Sequence, residues 1–324
     1  MVRSCLIKNT SAVHAIQVDP YVGEGHVQFA VVGAQGLFNV YRFEIATGLL
    51  SAFEVDNVPA EFKNNAFVSL AYTQMLGGLY FALLGASDGS LTAYELGSSS
   101  FLEGGTKKWC ITGVIAHVRV ANGQVVLASS TGTVARYALL PDALFPTEKA
   151  QLTFLRADGP VVSLAMDELN NEGLVGTAFG SLYYLNFGEK QLIRVVSRAY
   201  SVPRAVTSVR FCETNPQLVL SNCTCTEGGA NGSAVAKVWT AGTLDQVMRF
   251  QAPIEQSGPV AFVLSGPSRY QVIAHQQGQI RLLNTECLKV ELTFKLPLKP
   301  EEEVLTCGAF NPNGVNVALG TSQG

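Results

Sequence analysis

Few side chains in this sequence are of the types that act as general acids and bases or bind metal ions. Its four histidines are His14, His26, His117 and His275, and no two of them are adjacent in sequence. Three of the seven cysteines lie close together, at Cys212, Cys223 and Cys225. A zinc site usually has four ligands, with cysteines in a Cys-x2–4-Cys pair. One Cys-x-Cys pair without a nearby histidine therefore predicts a loop, and we predict no metal-binding residue.

Motifs that bind phosphate groups are missing as well. The glycines form neither a P-loop nor a dinucleotide-binding fingerprint. Acid–base chemistry would need carboxylates held in a cleft with shifted pKa values, and nothing in the sequence indicates such an arrangement. We predict that the chain has no catalytic residue, needs no cofactor and is not an enzyme.

One cluster of basic residues stands out as a candidate binding surface. It consists of Lys190, Arg194, Arg198, Arg204 and Arg210, and no acidic residue lies between its ends. Arg194 and Arg198 are four apart in an expected strand, so they face the same side. Such a surface suits an acidic partner, including the acidic tails of tubulin, through charge-assisted hydrogen bonds. The alternative is a solvated strand edge, which also protects against aggregation.

Composition limits the class of protein. The chain has 324 residues, of which 48% are hydrophobic and 15% charged, and its net charge is −3. A chain so rich in apolar residues is not disordered, and it lacks the excess of Lys and Arg that binding to duplex nucleic acid needs. Its longest apolar runs, such as Leu79–Ala86, are too short to span a membrane. The odd number of cysteines and the absence of a signal segment predict a cytoplasmic location.

The clearest signal is an internal repeat. Two β-rich runs flank a turn of small residues that ends in glycine, and these glycines recur 43 to 53 residues apart. They are Gly36, Gly89, Gly132, Gly180, Gly232, Gly278 and Gly324. A bulky residue follows most turns at a fixed distance, at Tyr41, Tyr94, Tyr137, Leu185 and Leu283, with Trp239 after a longer turn. It is expected to fill the space between neighbouring units.

Repeats of about 40–50 residues built from short strands predict a β-propeller with one four-stranded blade per unit. We predict an all-β, seven-bladed propeller whose last blade is incomplete. The predicted blades are 12–56, 66–113, 115–159, 160–202, 205–253, 259–298 and 304–324. The segment 2–8 is expected to close the ring as one strand of the last blade, and the other missing strand has no source in the sequence. We expect the chain to be a fragment of a longer protein or to have an incomplete last blade.

The unit length and the third-strand aromatic residue resemble WD-repeat propellers, in a degenerate form. Only Val238-Trp239 matches the terminal tryptophan, and Thr240 stands where Asp is usual. No unit has the Gly-His pair of regular members before its first strand; Gly25-His26 follows the first strand of its unit. The resemblance therefore implies blades that rely more on apolar packing than on buried His–Asp hydrogen bonds.

A closer resemblance covers roughly residues 150–324. The strings EGLVGTAFGSLYYLNF (172–187), KVWTAGTLDQVMRFQ (237–251) and VLTCGAFNPNG (304–314) are similar to the C-terminal propeller of the centriolar and ciliary family of WD-repeat-containing protein ninety, also called proteome-of-centriole protein sixteen. The resemblance implies a protein-interaction scaffold on microtubules of the centriole, basal body or ciliary axoneme. The family's microtubule-binding domain has no counterpart here, so its contact residues cannot be transferred to this sequence.

Two other functions stay open at this point. One is an adaptor propeller of another cytosolic WD-repeat complex, such as ciliary transport or a vesicle coat. The other is a propeller enzyme that uses a central channel, which would need polar residues converging on strands that look apolar.

Overall fold

Antiparallel β-strands make up almost all regular structure of the chain. The computed structural model describes residues 7, 9, 11–20, 25–55, 58–74, 78–101, 111–121, 123–139, 152–167, 171–187, 191–197, 199–200, 204–211, 217–225, 233–252, 260–265, 270–275, 278–284, 289–299, 303–310 and 317–323. Two 3-10 helices, Ala34–Gly36 and Ala60–Phe62, are the helices of this described part. Neither is long and apolar enough to cross a membrane. The all-β prediction is confirmed.

Strands that follow one another in the chain pair into sheets. The first sheet holds β1 (Val13–Val18), β2 (His26–Gly33), β3 (Phe38–Glu44) and β4 (Leu50–Glu54). The second holds β5 (Phe67–Gln74), β6 (Tyr80–Ala86), β7 (Leu91–Glu95) and β8 (Ser100–Phe101). The third holds β9 (Ile115–Ala121), β10 (Gln124–Ser129), β11 (Thr133–Ala138) and β12 (Leu152–Arg156).

The second half of the chain repeats the same order. The fourth sheet holds β13 (Val161–Asp167), β14 (Glu172–Thr177), β15 (Leu182–Asn186) and β16 (Gln191–Val196). The fifth holds β17 (Val206–Phe211), β18 (Leu218–Cys225), β19 (Ser233–Thr240) and β20 (Gln246–Ala252). The sixth holds β21 (Val260–Ser265), β22 (Tyr270–His275), β23 (Gln279–Asn284) and β24 (Lys289–Lys295). The last holds β25 (Leu305–Phe310) and β26 (Val317–Thr321).

The first strands of the sheets form a closed inner ring. β1 contacts β5, β5 contacts β9, and the series continues through β13, β17, β21 and β25, which contacts β1 again. Sheets arranged face to face around such a ring form a β-propeller. The described residues thus give six four-stranded sheets and one two-stranded sheet, where the sequence predicted seven blades with the last incomplete.

Each inner strand carries the same irregularity. Where each inner strand pairs with the second strand of its sheet, the register skips the second residue of the inner strand. That residue forms a β-bulge, and this occurs in all seven sheets. The bulged residues are His14, Val68, Ala116, Val162, Thr207, Ala261 and Thr306. A bulge bends and twists a strand and redirects its side chains.

Side chains at or just after the bulge bind the first residue of the next inner strand. The Ser69 hydroxyl donates to the carbonyl of Ile115 at 2.6 Å, and Ser163 donates to the carbonyl of Val206 at 2.5 Å. Nδ1 of His14 lies 3.3 Å from the carbonyl of Phe67. Thr306 of the two-stranded sheet donates to the carbonyl of Val13 at 2.7 Å. Hydrogen bonds of one type therefore join sheets one to two, two to three, four to five, and last to first.

The bulky third-strand residues fill the spaces between sheets, as the repeat predicts. The buried examples are Tyr41, Tyr94, Tyr137, Leu185 and Trp239. Each lies in an apolar cluster with the preceding sheet; Tyr94, for instance, packs with Val32 and Phe38 of the first sheet. Burying a side chain of this size contributes about 2–3 kcal/mol. The side chain of Leu283 lies outside the described residues.

The turn glycines have two separate roles. Positive φ angles of +70° to +89° occur at Gly36, Gly89, Gly132, Gly180 and Gly278, as predicted, whereas Gly232 and Gly324 lie outside the described residues. A Cβ on Gly180 would also lie 2.7 Å from the carbonyl oxygen of Arg204. The turn therefore lies directly against the segment that leads to the next sheet.

We expect Gly180→Ala to destabilise the fold by about 2–4 kcal/mol, since it combines a strained φ with an overlap against Arg204. Gly242→Ala is the matched control, because Gly242 has φ +80° and nothing lies within 4 Å of the point that its new methyl group would occupy. That control should lose only about 1–2 kcal/mol. Urea unfolding of the two variants measures the difference, and equal losses would contradict the close approach.

Candidate interaction surfaces

The structure describes three of the five predicted basic residues and places them at different distances from the axis of the ring. Lys190 and Arg198 lie outside the described residues. Arg194 is exposed on β16, the outer strand of the fourth sheet, whereas Arg210 is half-buried on β17, the inner strand of the fifth. Arg204 is half-buried just before β17. Arg194 lies at the outer end of its sheet, and Arg210 lies at the inner end of the next sheet. Of the three described basic residues, Arg194 is therefore the one that suits a partner approaching from outside the ring.

The histidines are dispersed over three sheets. His14 and His117 lie on inner strands, and His26 is the first residue of β2. His275 is the fully buried last residue of β22. Desolvation has the largest effect on the pKa of His117 and, together with repulsion from Arg119, lowers it to about 3. A hydrogen bond with the backbone of Val162 acts in the opposite direction. His117 is therefore neutral near pH 7 and unsuited to exchange protons there.

The cysteines form no metal centre in the described residues. Cys223 is buried on β18, and burial raises the pKa of its thiol to about 11. Cys212 and the side chain of Cys225 lie outside the described residues. Within the described ranges, no group of three or more His, Cys, Asp or Glu side chains could hold a metal ion.

Residues 85–89, Gly-Ala-Ser-Asp-Gly, match the G-x-S-x-G pattern of a hydrolase nucleophile, a match that the sequence reading overlooked. A nucleophile elbow connects a strand to a helix. Here the segment spans the end of β6 and the turn to β7, another strand. The hydroxyl of Ser87 accepts a hydrogen bond from the backbone N–H of Ala66 at 3.2 Å. Ser87 thus ties the β6–β7 turn to the segment that leads into β5 of the same sheet, which differs from the strand-to-helix setting of a nucleophile elbow.

A buried lysine lies between the fourth and fifth sheets. The Lys237 ammonium donates to the carbonyl of Ala199 at 2.6 Å and lies 5.1 Å from the Tyr200 ring and 5.3 Å from the Trp239 ring. Cation–π contacts of this kind are strongest when desolvated. Burial, followed by repulsion from Arg249, lowers the pKa of Lys237. The amine is enclosed by its own protein and is not offered to a partner.

Exposed apolar side chains are concentrated on one part of the ring. Among the described residues, the large ones are Ile45, Leu49, Leu79, Phe179, Val247, Val290, Leu292, Phe294, Val304 and Val317. Half of them lie on β24, on β26 or immediately before β25. Contiguous exposed apolar surface commonly marks an interaction site. The sequence reading missed this group because alternation alone does not show which strands remain uncovered.

Comparison with solved structures agrees with the fold. The WD40 β-propeller domain of Doa1 superposes with a TM-score of 0.67 at 15% identity, covering 98% of this chain and 92% of that domain. A chain of the mitotic checkpoint complex gives a TM-score of 0.65 at 15% identity, covering 100% of this chain and 95% of that one. At such identities the likeness shows the WD40 β-propeller fold alone.

Sequence comparison finds relatives among WD-repeat proteins. No protein-family model matches the chain. WD repeat-containing protein 90 of Mus musculus is 23% identical over 337 residues, which cover 96% of this chain and 16% of the relative. The Homo sapiens protein of the same name is 25% identical over 223 residues, covering 65% of this chain and 12% of the relative. In sequence the chain is thus similar to the WD-repeat protein named WD repeat-containing protein 90. It spans less than a fifth of the length of either relative.

One interface of this WD-repeat propeller departs from the expected apolar packing. The Ser221 hydroxyl lies 2.7 Å from the Tyr200 hydroxyl and accepts a hydrogen bond from Nε1 of Trp239 at 2.9 Å. All three side chains are buried. A tyrosine–serine–tryptophan network therefore joins sheet five to the segment that follows sheet four, whereas the missing Gly-His pair had predicted a greater reliance on apolar packing. Trp239 was the sequence signal for it, but Tyr200 and Ser221 carried none.

The low pKa of His117 predicts a pH-dependent stability. An unfolded histidine binds a proton below about pH 6.5, whereas folded His117 does so only near pH 3, so stability is lost as the pH falls through this range. Between pH 7 and pH 5 the loss should reach up to about 2 kcal/mol. We expect His117→Asn to remove it in urea unfolding at both pH values. A variant with the wild-type loss would contradict this assignment.

Proposed function

We propose that the chain is a non-enzymatic, protein-binding scaffold module of a centriolar or ciliary microtubule-associated protein. The observation that carries the proposal is the similarity of 96% of the chain to WD repeat-containing protein 90. The resemblance of residues 172–314 to the centriolar and ciliary family supports the location, at the centriole, basal body or flagellar axoneme. The partners are then centriolar and axonemal proteins or tubulin itself.

Binding suits the described side chains better than catalysis does. The buried cations Lys237 and Arg136 donate to backbone carbonyls outside their own sheets: Lys237 to Ala199, between β16 and β17, and Arg136 to Phe187, directly after β15, each at 2.6 Å. His117 is neutral at physiological pH, and Ser87 closes a turn. Arg194 is exposed on an outer strand, as are Val247 of β20 and the β24 residues Val290, Leu292 and Phe294, and outer strands are where a propeller meets other proteins.

We further propose that the two-stranded sheet is the inner half of a seventh blade and that residues 2–8 add a strand to it. β25 and β26 share the inner-strand bulge of the other six sheets. Ile7 packs on the apolar cluster that Cys307, Ala309 and Ala318 join, and Asn9 accepts a hydrogen bond from the Tyr41 hydroxyl at 2.5 Å. These contacts lead the chain toward the space between the first and last sheets. Residues 2–6 and 8 themselves lie outside the described residues.

Microtubule cosedimentation across a salt series tests the scaffold proposal. We expect the chain to pellet at low salt and to dissociate as salt screens charge contacts with acidic tubulin tails. Arg194→Glu should weaken binding about three- to tenfold, whereas the matched control Arg156→Glu, also exposed on the outer strand of its sheet, should bind as wild type. A folded, monodisperse sample that stays in the supernatant at low salt would contradict tubulin as a partner.

Thiol labelling tests the closing strand. Burial raises the pKa of the Cys307 thiol to about 12 and slows its reaction with maleimide. Deleting residues 1–8 should uncover the last sheet and speed the labelling of Cys307 about tenfold, as read by peptide mass spectrometry. Cys223, buried between other sheets, is the internal control and should not change. An unchanged rate at Cys307 would show that residues 1–8 do not cover this sheet.

A further inference from the structure

The inner strands of the ring, which surround its central channel, contain few charged residues. In the sequences of all seven inner strands, the charged residues are Arg119 on β9, Asp167 on β13 and Arg210 on β17, beside the histidines His14 and His117. No charged residue belongs to β21, whose side chains lie outside the described residues. The charge of the channel wall therefore comes mainly from two arginines and one aspartate.

The two arginines lie at the same depth along the axis of the ring. The inner-strand bulges give all seven inner strands a common register, since each strand skips one residue at the same place. Arg119 is the third residue after the bulge of β9, and Arg210 is the third residue after the bulge of β17. β13 lies between these two strands and contacts both of them. The two side chains therefore start from one level of the ring, one sheet apart.

Both arginines are half-buried, and the packing of their strands shows from where solvent reaches them. β9 has β5 and β13 at its two sides and pairs with β10 behind it. In the same way, β17 lies between β13 and β21 and pairs with β18. The remaining side of each strand faces the axis. The exposed parts of Arg119 and Arg210 are therefore accessible from the central channel.

Most of the other residues at this depth are small. Three of the five are alanines, and the set consists of Gln17, Ala71, Ala165, Leu264 and Ala309. An alanine side chain is a single methyl group, so these positions leave space in the channel that longer side chains would occupy. None of the seven residues at this depth is acidic, and Asp167 lies two residues further along β13.

The charge of Arg119 is not balanced by an acidic side chain within the described part of the chain. Its Nη1 donates to the carbonyl of Val118 at 2.9 Å. Burial lowers the pKa of the Arg119 guanidinium by desolvation, and no carboxylate of the described residues offsets this effect. Charged groups that are removed from water in proteins are usually paired, because an isolated buried charge is costly. An anion in the channel would supply the charge that Arg119 lacks.

We propose that Arg119 and Arg210 form a binding site for a phosphate-sized oxyanion in the central channel. Guanidinium groups donate well-directed hydrogen bonds to phosphate oxygens, here from β9 on one side and β17 on the other. An arginine has five N–H donors, so Arg210 can bind the anion and keep its contacts within the protein. A bound ion would link the third sheet to the fifth across the axis.

The chemistry of the site favours phosphate over a carboxylate. Phosphate is tetrahedral and carries up to two negative charges at neutral pH, so it can accept hydrogen bonds from two strands and balance two guanidinium groups. A carboxylate has one charge and holds both oxygens in one plane. This site goes beyond the proposed scaffold function and does not depend on it.

Thermal unfolding of the full chain in inorganic phosphate tests the site. Sodium chloride keeps the ionic strength constant, so a change in Tm reports specific binding to the folded state. We expect a saturable increase in Tm with phosphate and little change with acetate. Arg119→Gln and Arg210→Gln should each weaken the apparent affinity for phosphate about tenfold or more, since each removes a charged donor. The matched control is Arg156→Gln, on the outer strand β12, which should respond as wild type.

The stability of Arg119→Gln without phosphate separates anion binding from a purely structural role. We expect this variant to be at least as stable as wild type, because it removes a desolvated charge that no acidic side chain balances. A loss of stability without phosphate would overturn the proposal. So would a Tm that does not change with phosphate, an equal response to acetate, or a wild-type response of Arg119→Gln. No microtubules are present, so this test and the cosedimentation test fail independently.

Discussion

The closed ring of inner strands is the constraint on which the rest of the fold depends. Each four-stranded sheet has two apolar faces and can bury them only against its neighbours, so the sheets are stable only as a circle. Side chains near the inner-strand bulges fix that circle by binding the first carbonyl of the next inner strand. The bond from Thr306 to Val13 joins residues 293 positions apart, and it makes the two ends of the sequence interdependent.

Because the acceptor in these bonds is always a backbone carbonyl, the donor is free to vary. Serine, threonine and histidine all serve in this chain, at Ser69, Thr306 and His14. Glycines on the second strands, such as Gly85 and Gly176, leave room for the first residue of the next inner strand, Ile115 or Val206. A propeller held by backbone acceptors and small residues tolerates extensive substitution, which explains how the WD40 fold persists at 15% identity.

Features set by local chemistry could be predicted from the sequence, and features set by radial position could not. The turn glycines and the bulky third-strand residues follow from hairpin geometry and period-2 alternation, and both were found where expected. The basic residues were grouped by their spacing in the chain. The fold places Arg194 on an outer strand and Arg210 on an inner one, because consecutive sheets run outward and then return to the axis. The Lys237 site was missed for a related reason, since one aromatic partner, Trp239, comes from the fifth sheet and the other, Tyr200, from the segment that precedes it.

Inner strands stabilise the ring, and outer strands are the ones available for binding other proteins. β25 contacts β21 on one side and β1 on the other, so this one inner strand of the two-stranded sheet completes the inner ring. Leu292 and Phe294 of the sixth sheet lie at the periphery, on its outer strand. Contacts on outer strands can therefore form and break without disturbing the hydrogen bonds that join Thr306 to Val13 and Ser163 to Val206. Reversible recognition at one sheet is thus compatible with a rigid propeller, which is the combination that a scaffold requires.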